Sequence, residues 1–108
     1  MPHPSISFEF FPPLSVSKLG DLVESARLLL RVNPEFFSVT FGAGGGTTDS
    51  TFDTVVSLKE SLQVPVAPHI SCTNISREKV FSILDSYLEA GLDRLVVLRG
   101  DKPSGVPA

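Results

Sequence analysis

Apolar positions along this chain recur at two different periods. Four short runs, at 7–11, 36–41, 66–70 and 95–98, are strand-like. Between them lie three stretches with apolar residues at helical spacing. In the first, Leu19, Leu22, Val23, Ala26, Leu29 and Leu30 fall on one face, which predicts a helix over 17–32 with Ser17 as N-cap and Asn33-Pro34 as its stop. A second helix is expected from Thr48 or Asp49, with Phe52, Val55, Val56 and Leu62 as its stripe. The third runs from a Ser76 cap to about Ala90, carries Val80, Ile83, Leu84, Tyr87 and Leu88, and closes at Gly91.

Strands alternating with helices at this spacing imply parallel βαβ units with right-handed crossovers. The third strand is the least regular, because Pro65 and Pro68 remove ladder donors, and Pro68 is expected to mark a bulge that re-aims His69. Side-chain parity then separates two architectures. Phe8 and Phe10 oppose Ser7, Glu9 and Phe11, while Phe37, Val39 and Phe41 oppose Phe36, Ser38 and Thr40. One face is apolar enough to meet helices and the other turns polar toward its carboxyl end. A doubly wound sheet needs two apolar faces, whereas a barrel needs one and opens its site at the carboxyl rim. The expected fold is α/β: the first four strands and three helices of a (β/α)8 TIM barrel with a parallel sheet.

Each run carries polar groups toward its carboxyl end: Glu9, Thr40, His69, and the Arg99/Asp101 pair. An acid, a hydroxyl, an imidazole and an Arg/Asp pair converging on one rim describe a ligand site rather than a core. Glu9 stands between phenylalanines before Pro12-Pro13, an apolar setting expected to disfavour its charged form and suit a general acid. The other reading of Glu9 is an ion pair with an arginine such as Arg99. The glycine segment Gly42-Ala43-Gly44-Gly45-Gly46 precedes a helix and permits close backbone approach, but it is neither G-x-G-x-x-G nor a Walker loop. His69 reads either as a hydrogen-bonded core histidine or as a ligand contact. No metal-ligand spacing accompanies it.

The chain has 108 residues, 42% hydrophobic and 19% charged, with nine basic and twelve acidic side chains and a net charge of −3. This is globular composition, and no basic block points to nucleic acid or a membrane surface. The lone Cys72 permits no internal disulfide and is expected to be a buried or half-buried thiol. No run approaches the roughly 20 apolar residues of a membrane span, and a cytoplasmic protein is expected. A full barrel takes about 250 residues. Residues 1–108 are therefore expected to form one domain that is a fragment, a truncated product, part of a split protein, or a half-barrel completed by a partner.

Four segments, Ser7-Phe8-Glu9-Phe10-Phe11-Pro12-Pro13, Ser38-Val39-Thr40-Phe41-Gly42-Ala43-Gly44-Gly45, Pro68-His69-Ile70-Ser71-Cys72 and Leu98-Arg99-Gly100-Asp101, together resemble the N-terminal half of methylenetetrahydrofolate reductases, in order and spacing. The glycine segment departs from the family, which often has basic residues about where Thr48 and Ser50 stand. The resemblance implies a barrel that carries FAD, takes hydride from NAD(P)H and reduces a folate substrate to its 5-methyl form. It further implies that Glu9 is the acid that helps open the folate's five-membered ring, and that Asp101 is the carboxylate beside flavin and pterin. By the same likeness Thr40, Phe41, Ala43, His69, Arg99 and Gly100 line the flavin, with Thr40 also reaching the nicotinamide. Such a chain alone is expected to bind FAD weakly and to turn over little, with a homo-oligomer or a complementing C-terminal half as its partner. Two other readings stand beside this one: a non-catalytic remnant or association module, and an unrelated barrel that takes a phosphorylated substrate at the glycine segment.

Overall fold

A computed structural model describes residues 4–41, 48–73 and 75–99, with the side chains of residues 48 and 49 left out of the description. The elements run β1 (Ser7–Phe10), α1 (Val16–Leu29) with a 3-10 turn at Leu30–Val32, β2 (Phe36–Val39), α2 (Thr48–Leu62), β3 (Val66–Ser71), α3 (Arg77–Glu89) and β4 (Val96–Leu98). The strands lie in the order β1-β2-β3-β4 and every pairing is parallel. This sequential winding has no reversal, so right-handed crossovers place all three helices on one face, as in a (β/α) barrel.

That face holds the core. Phe37 and Val39 of β2, Val66 and Ile70 of β3, Val23 and Ala26 of α1, Val55, Leu58 and Leu62 of α2, and Ile83 and Tyr87 of α3 form one buried cluster. Phe8 and Phe10 of β1 pack on Phe37, with ring centroids 6.1 and 5.4 Å away. The buried stripe of α2 is Thr51, Thr54, Val55, Leu58 and Leu62, at the i, i+3, i+4, i+7, i+11 positions of a helix. Burial among these side chains pushes the Tyr87 phenol up to about 12.

Several local expectations are met and others corrected. Ser76 caps α3 by accepting from the Lys79 N–H at 3.1 Å, and Gly91 follows the helix at φ +81°, a conformation that favours glycine. In α1 the cap is Ser15, not Ser17: Ser15 Oγ accepts from the Lys18 N–H at 3.3 Å, and Ser17 lies inside the helix. Asn33 ends the following 3-10 turn in the left-handed region, before Pro34.

β3 is the most buried strand rather than an irregular one, and Pro68 sits inside it without interrupting it. Along a parallel strand, successive residues turn their backbone groups to opposite neighbours. The Pro65 carbonyl accepts from the Phe37 N–H of β2, while the Cys72 N–H donates to the Leu98 carbonyl beyond it. Even-numbered residues therefore face β4, and the donor missing at Pro68 falls one step before that ladder begins at His69↔Val96. Cys72, expected to be buried or half-buried, is exposed just past the strand end.

The capping assignment is directly testable. Ser15→Ala is expected to lower stability by about 1 kcal/mol in chemical denaturation, and Ser17→Ala by no more than a few tenths.

Candidate functional site

The strand register decides which side chains share the face opposite the helices. Glu9 pairs with Ser38, and Ser38 with Ala67. Two residues further along, Thr40 and His69 point the same way. Glu9 and His69 are thus two strands apart, roughly 10 Å between backbones, with the small side chain of Ser38 between them. Their side chains meet above it, His69 Nε2 standing 3.3 Å from Glu9 Oε1.

The two partners live in different surroundings. The His69 side chain is 6% exposed, whereas that of Glu9 is 57% exposed. The apolar enclosure expected for Glu9 is absent, because alternation sends Phe8 and Phe10 to the helix side, against Phe37. Glu9's partner is His69, and not Arg99. Burial pushes the His69 pKa below its usual value of 6.5, and the Glu9 carboxylate opposes that effect in part.

Two buried polar atoms on this face have no hydrogen-bond partner among the described residues: Thr40 Oγ1 and His69 Nδ1. Buried polar groups are nearly always paired, so two neighbouring exceptions point to a ligand carrying hydrogen-bonding groups. Thr40 is held by its backbone. Its N–H donates to the Phe10 carbonyl at 2.9 Å, and its carbonyl accepts from Thr51 Oγ1 of α2, also at 2.9 Å. Thr51 was not singled out from the sequence. Its signal is a hydroxyl on the apolar stripe that continues through Val55, Leu58 and Leu62.

The remaining expected site residues divide in two. Phe41 packs against the helix-side core rather than on the polar face. In β4, Val96 pairs with His69 and Leu98 with Ser71, so these two residues share the histidine's face. Arg99 follows Leu98 past the strand end and is exposed, so the common parity expected for it with Glu9, Thr40 and His69 does not hold within the ladder. Ala43, Gly100 and Asp101 lie outside the described residues.

The His69 environment predicts a pH dependence of stability. Its folded pKa is depressed, so the contribution of the neutral ring is full above the unfolded value near 6.5 and is lost as pH falls through the lower folded value. Denaturation midpoints at pH 7.5 and 5.5 are expected to differ less in His69→Gln than in the parent chain.

Comparison of the sequence with known proteins points to one group. The sequence fits the family model for methylenetetrahydrofolate reductase over residues 2–107. It is 39% identical over 99 residues to 5,10-methylenetetrahydrofolate reductase of Pectobacterium carotovorum, a match covering 92% of this chain and 33% of that protein. The enzyme of the same name from Salmonella typhimurium is 37% identical, with 94% of this chain and 34% of that protein covered. Methylenetetrahydrofolate reductase (NADH) 1 of Arabidopsis thaliana is 35% identical over 94% of this chain and 17% of its own length. The chain thus spans about a third of the length of the bacterial relatives. On the family match, the parallel winding and the order of its motifs, this chain belongs to the methylenetetrahydrofolate reductase family.

Proposed function

We propose that these residues form the acid-bearing part of a flavin site that reduces methylenetetrahydrofolate to the 5-methyl form at the expense of NAD(P)H. The observation that carries this reading is the meeting of Glu9 and His69 on the same face as the unpartnered Thr40 Oγ1 and His69 Nδ1. Two buried, polar, unfilled hydrogen-bonding positions suit the polar edge of a ring system such as the isoalloxazine of FAD. When bound, FAD supplies the hydride chemistry that no protein side chain provides. A nicotinamide reductant is supported by the name of the Arabidopsis relative.

The protein's own tasks are binding and proton delivery. Thr40 and His69 present hydrogen-bonding groups from the ends of β2 and β3. Glu9, on the open side of the face, is placed to give a proton to a substrate nitrogen as the folate ring opens. Ala43, Arg99, Gly100 and Asp101 complete the cofactor contacts in this reading, with Asp101 as the carboxylate beside flavin and pterin. Val97 of β4 is 63% exposed, and Leu88 of α3, 69% exposed, lines a cleft of about 220 Å³ together with Leu84, Tyr87, Leu92 and Leu95. This apolar margin suits a further βα unit, supplied by a longer polypeptide or a complementing one, and a flavin site assembled in full only with it.

Two measurements test the reading. The 108-residue chain titrated with FAD is expected to bind weakly, with little shift of the flavin spectrum. In a protein that also carries the rest of the barrel, Glu9→Gln is expected to slow folate reduction by roughly a hundredfold or more, the scale of general acid catalysis. Full folate reduction by that variant would refute the acid role.

A further inference from the structure

The Glu9 side chain is more than half exposed, and Phe8 and Phe10 lie on the other face of the sheet. Its close polar neighbour is His69, and the two ring nitrogens of that residue are not equivalent. Nδ1 is buried with no partner among the described residues, while Nε2 faces Glu9 Oε1 at 3.3 Å. A neutral imidazole carries one N–H. On Nδ1 that N–H would have no acceptor among the described residues, whereas on Nε2 it meets a carboxyl oxygen and leaves Nδ1 as an acceptor for a donor on a bound ring system. Among the described residues Glu9 is the ionisable group that faces this ring. β2 contributes Ser38 and Thr40 to the face, and β4 contributes Val96 and Leu98.

We propose that His69, donating from Nε2 to Glu9 Oε1, is a positioning residue that fixes the carboxyl over β2 and determines which of its oxygens carries the transferable proton. This rests on the reading of Glu9 as the acid. With Oε1 accepting from the imidazole, the acid proton sits on Oε2, the oxygen left free toward substrate. In the transfer the Oε2–H bond breaks, its electrons stay with the carboxyl, and the proton goes to the substrate nitrogen. The carboxylate left behind accepts the same Nε2–H, now as a charge-assisted hydrogen bond. The contact is therefore stronger after transfer than before, which assists the step itself and not only the pose. His69 keeps its proton throughout.

The test uses two replacements that reach different places. The amide nitrogen of His69→Gln extends to about where Nε2 stood, and that of His69→Asn only to about where Nδ1 stood. In the flavin-loaded protein carrying the whole barrel, His69→Asn is expected to slow folate reduction about tenfold, the scale of one hydrogen bond to a charged group, and His69→Gln to recover most of that rate. On a Glu9→Gln background, His69→Asn is expected to add no further loss. A glutamine variant as slow as the asparagine one, or an undiminished asparagine effect without Glu9, would overturn the proposal. The ring tautomer can be read separately on the 108-residue chain by nitrogen NMR. An Nε2-protonated ring whose signal moves in Glu9→Gln is expected, and an Nδ1-protonated ring would overturn the positioning role. Full folate reduction in Glu9→Gln would instead bring down the acid assignment, a result the tautomer does not depend on.

Discussion

The two-residue alternation of a strand is the constraint from which this molecule follows. Three helices must bury one face of the sheet, and Phe8, Phe10, Phe37, Val39, Val66 and Ile70 supply it. The intervening residues are thereby turned to the other face, away from the three described helices. Glu9, Ser38, Thr40, Ala67 and His69 stand there because their neighbours are in the core. The site is a by-product of the packing geometry, and it is rigid for the same reason. Moving His69 would mean moving Ile70 and Pro68, both almost wholly buried.

The polar face carries a cost that the apolar one must cover. An unpartnered buried polar atom costs about 1–3 kcal/mol, and Thr40 Oγ1 and His69 Nδ1 are two such atoms among the described residues. Two buried hydroxyls of α2 are, by contrast, paired. Thr51, fully buried on α2, donates to the Thr40 carbonyl, and Thr54 donates to the Ser50 carbonyl one turn back. Thr40 thus has its backbone bound on both sides and its hydroxyl left open. The N-terminal side of the sheet behaves differently: Arg94 lies over the Phe36 ring at 5.5 Å and stands 3.9 Å from Glu35, an exposed arrangement that trims an edge.

The element order, the single apolar face and the ends of α3 were legible in the sequence because each is written in local chemistry: periodicity, a serine before the first turn, a glycine after the last. The failures have one source, which is that sequence neighbours are not spatial neighbours. Glu9 is flanked by Phe8 and Phe10 in the chain and separated from them by the plane of the sheet in space, so its surroundings were misread as apolar. In β4 the parity count depended on an odd or even choice that only pairing can make. The register His69↔Val96 assigns the even residues to the polar face and sets Arg99 outside the ladder. Ser15 and Ser17 both precede the apolar stripe of α1, and the backbone path after Pro13 chose between them. Cys72 followed an apolar run but lies past its end, where burial stops.

The least supported strand is the one that leads into the rest of the proposed site. β4 has three residues, and among the described residues it is paired on one side only. Its outward Val97 is 63% exposed, and the apolar side chains of Leu88 and Leu95 lie open nearby. A parallel strand in this condition gains little from burial and holds its position mainly through the ladder to β3. Arg99 follows directly from this strand. Covering Val97 and extending the ladder would therefore do two things at once: remove apolar surface from water, and fix the direction in which the chain leaves Leu98 beside Ser71 and His69. In the proposed barrel, closing the wall and completing the ligand face would be one process, because both would act on Val96, Val97 and Leu98. β1, β2 and β3 are held by the core already described, whereas β4 leaves Val97 open on its outer side.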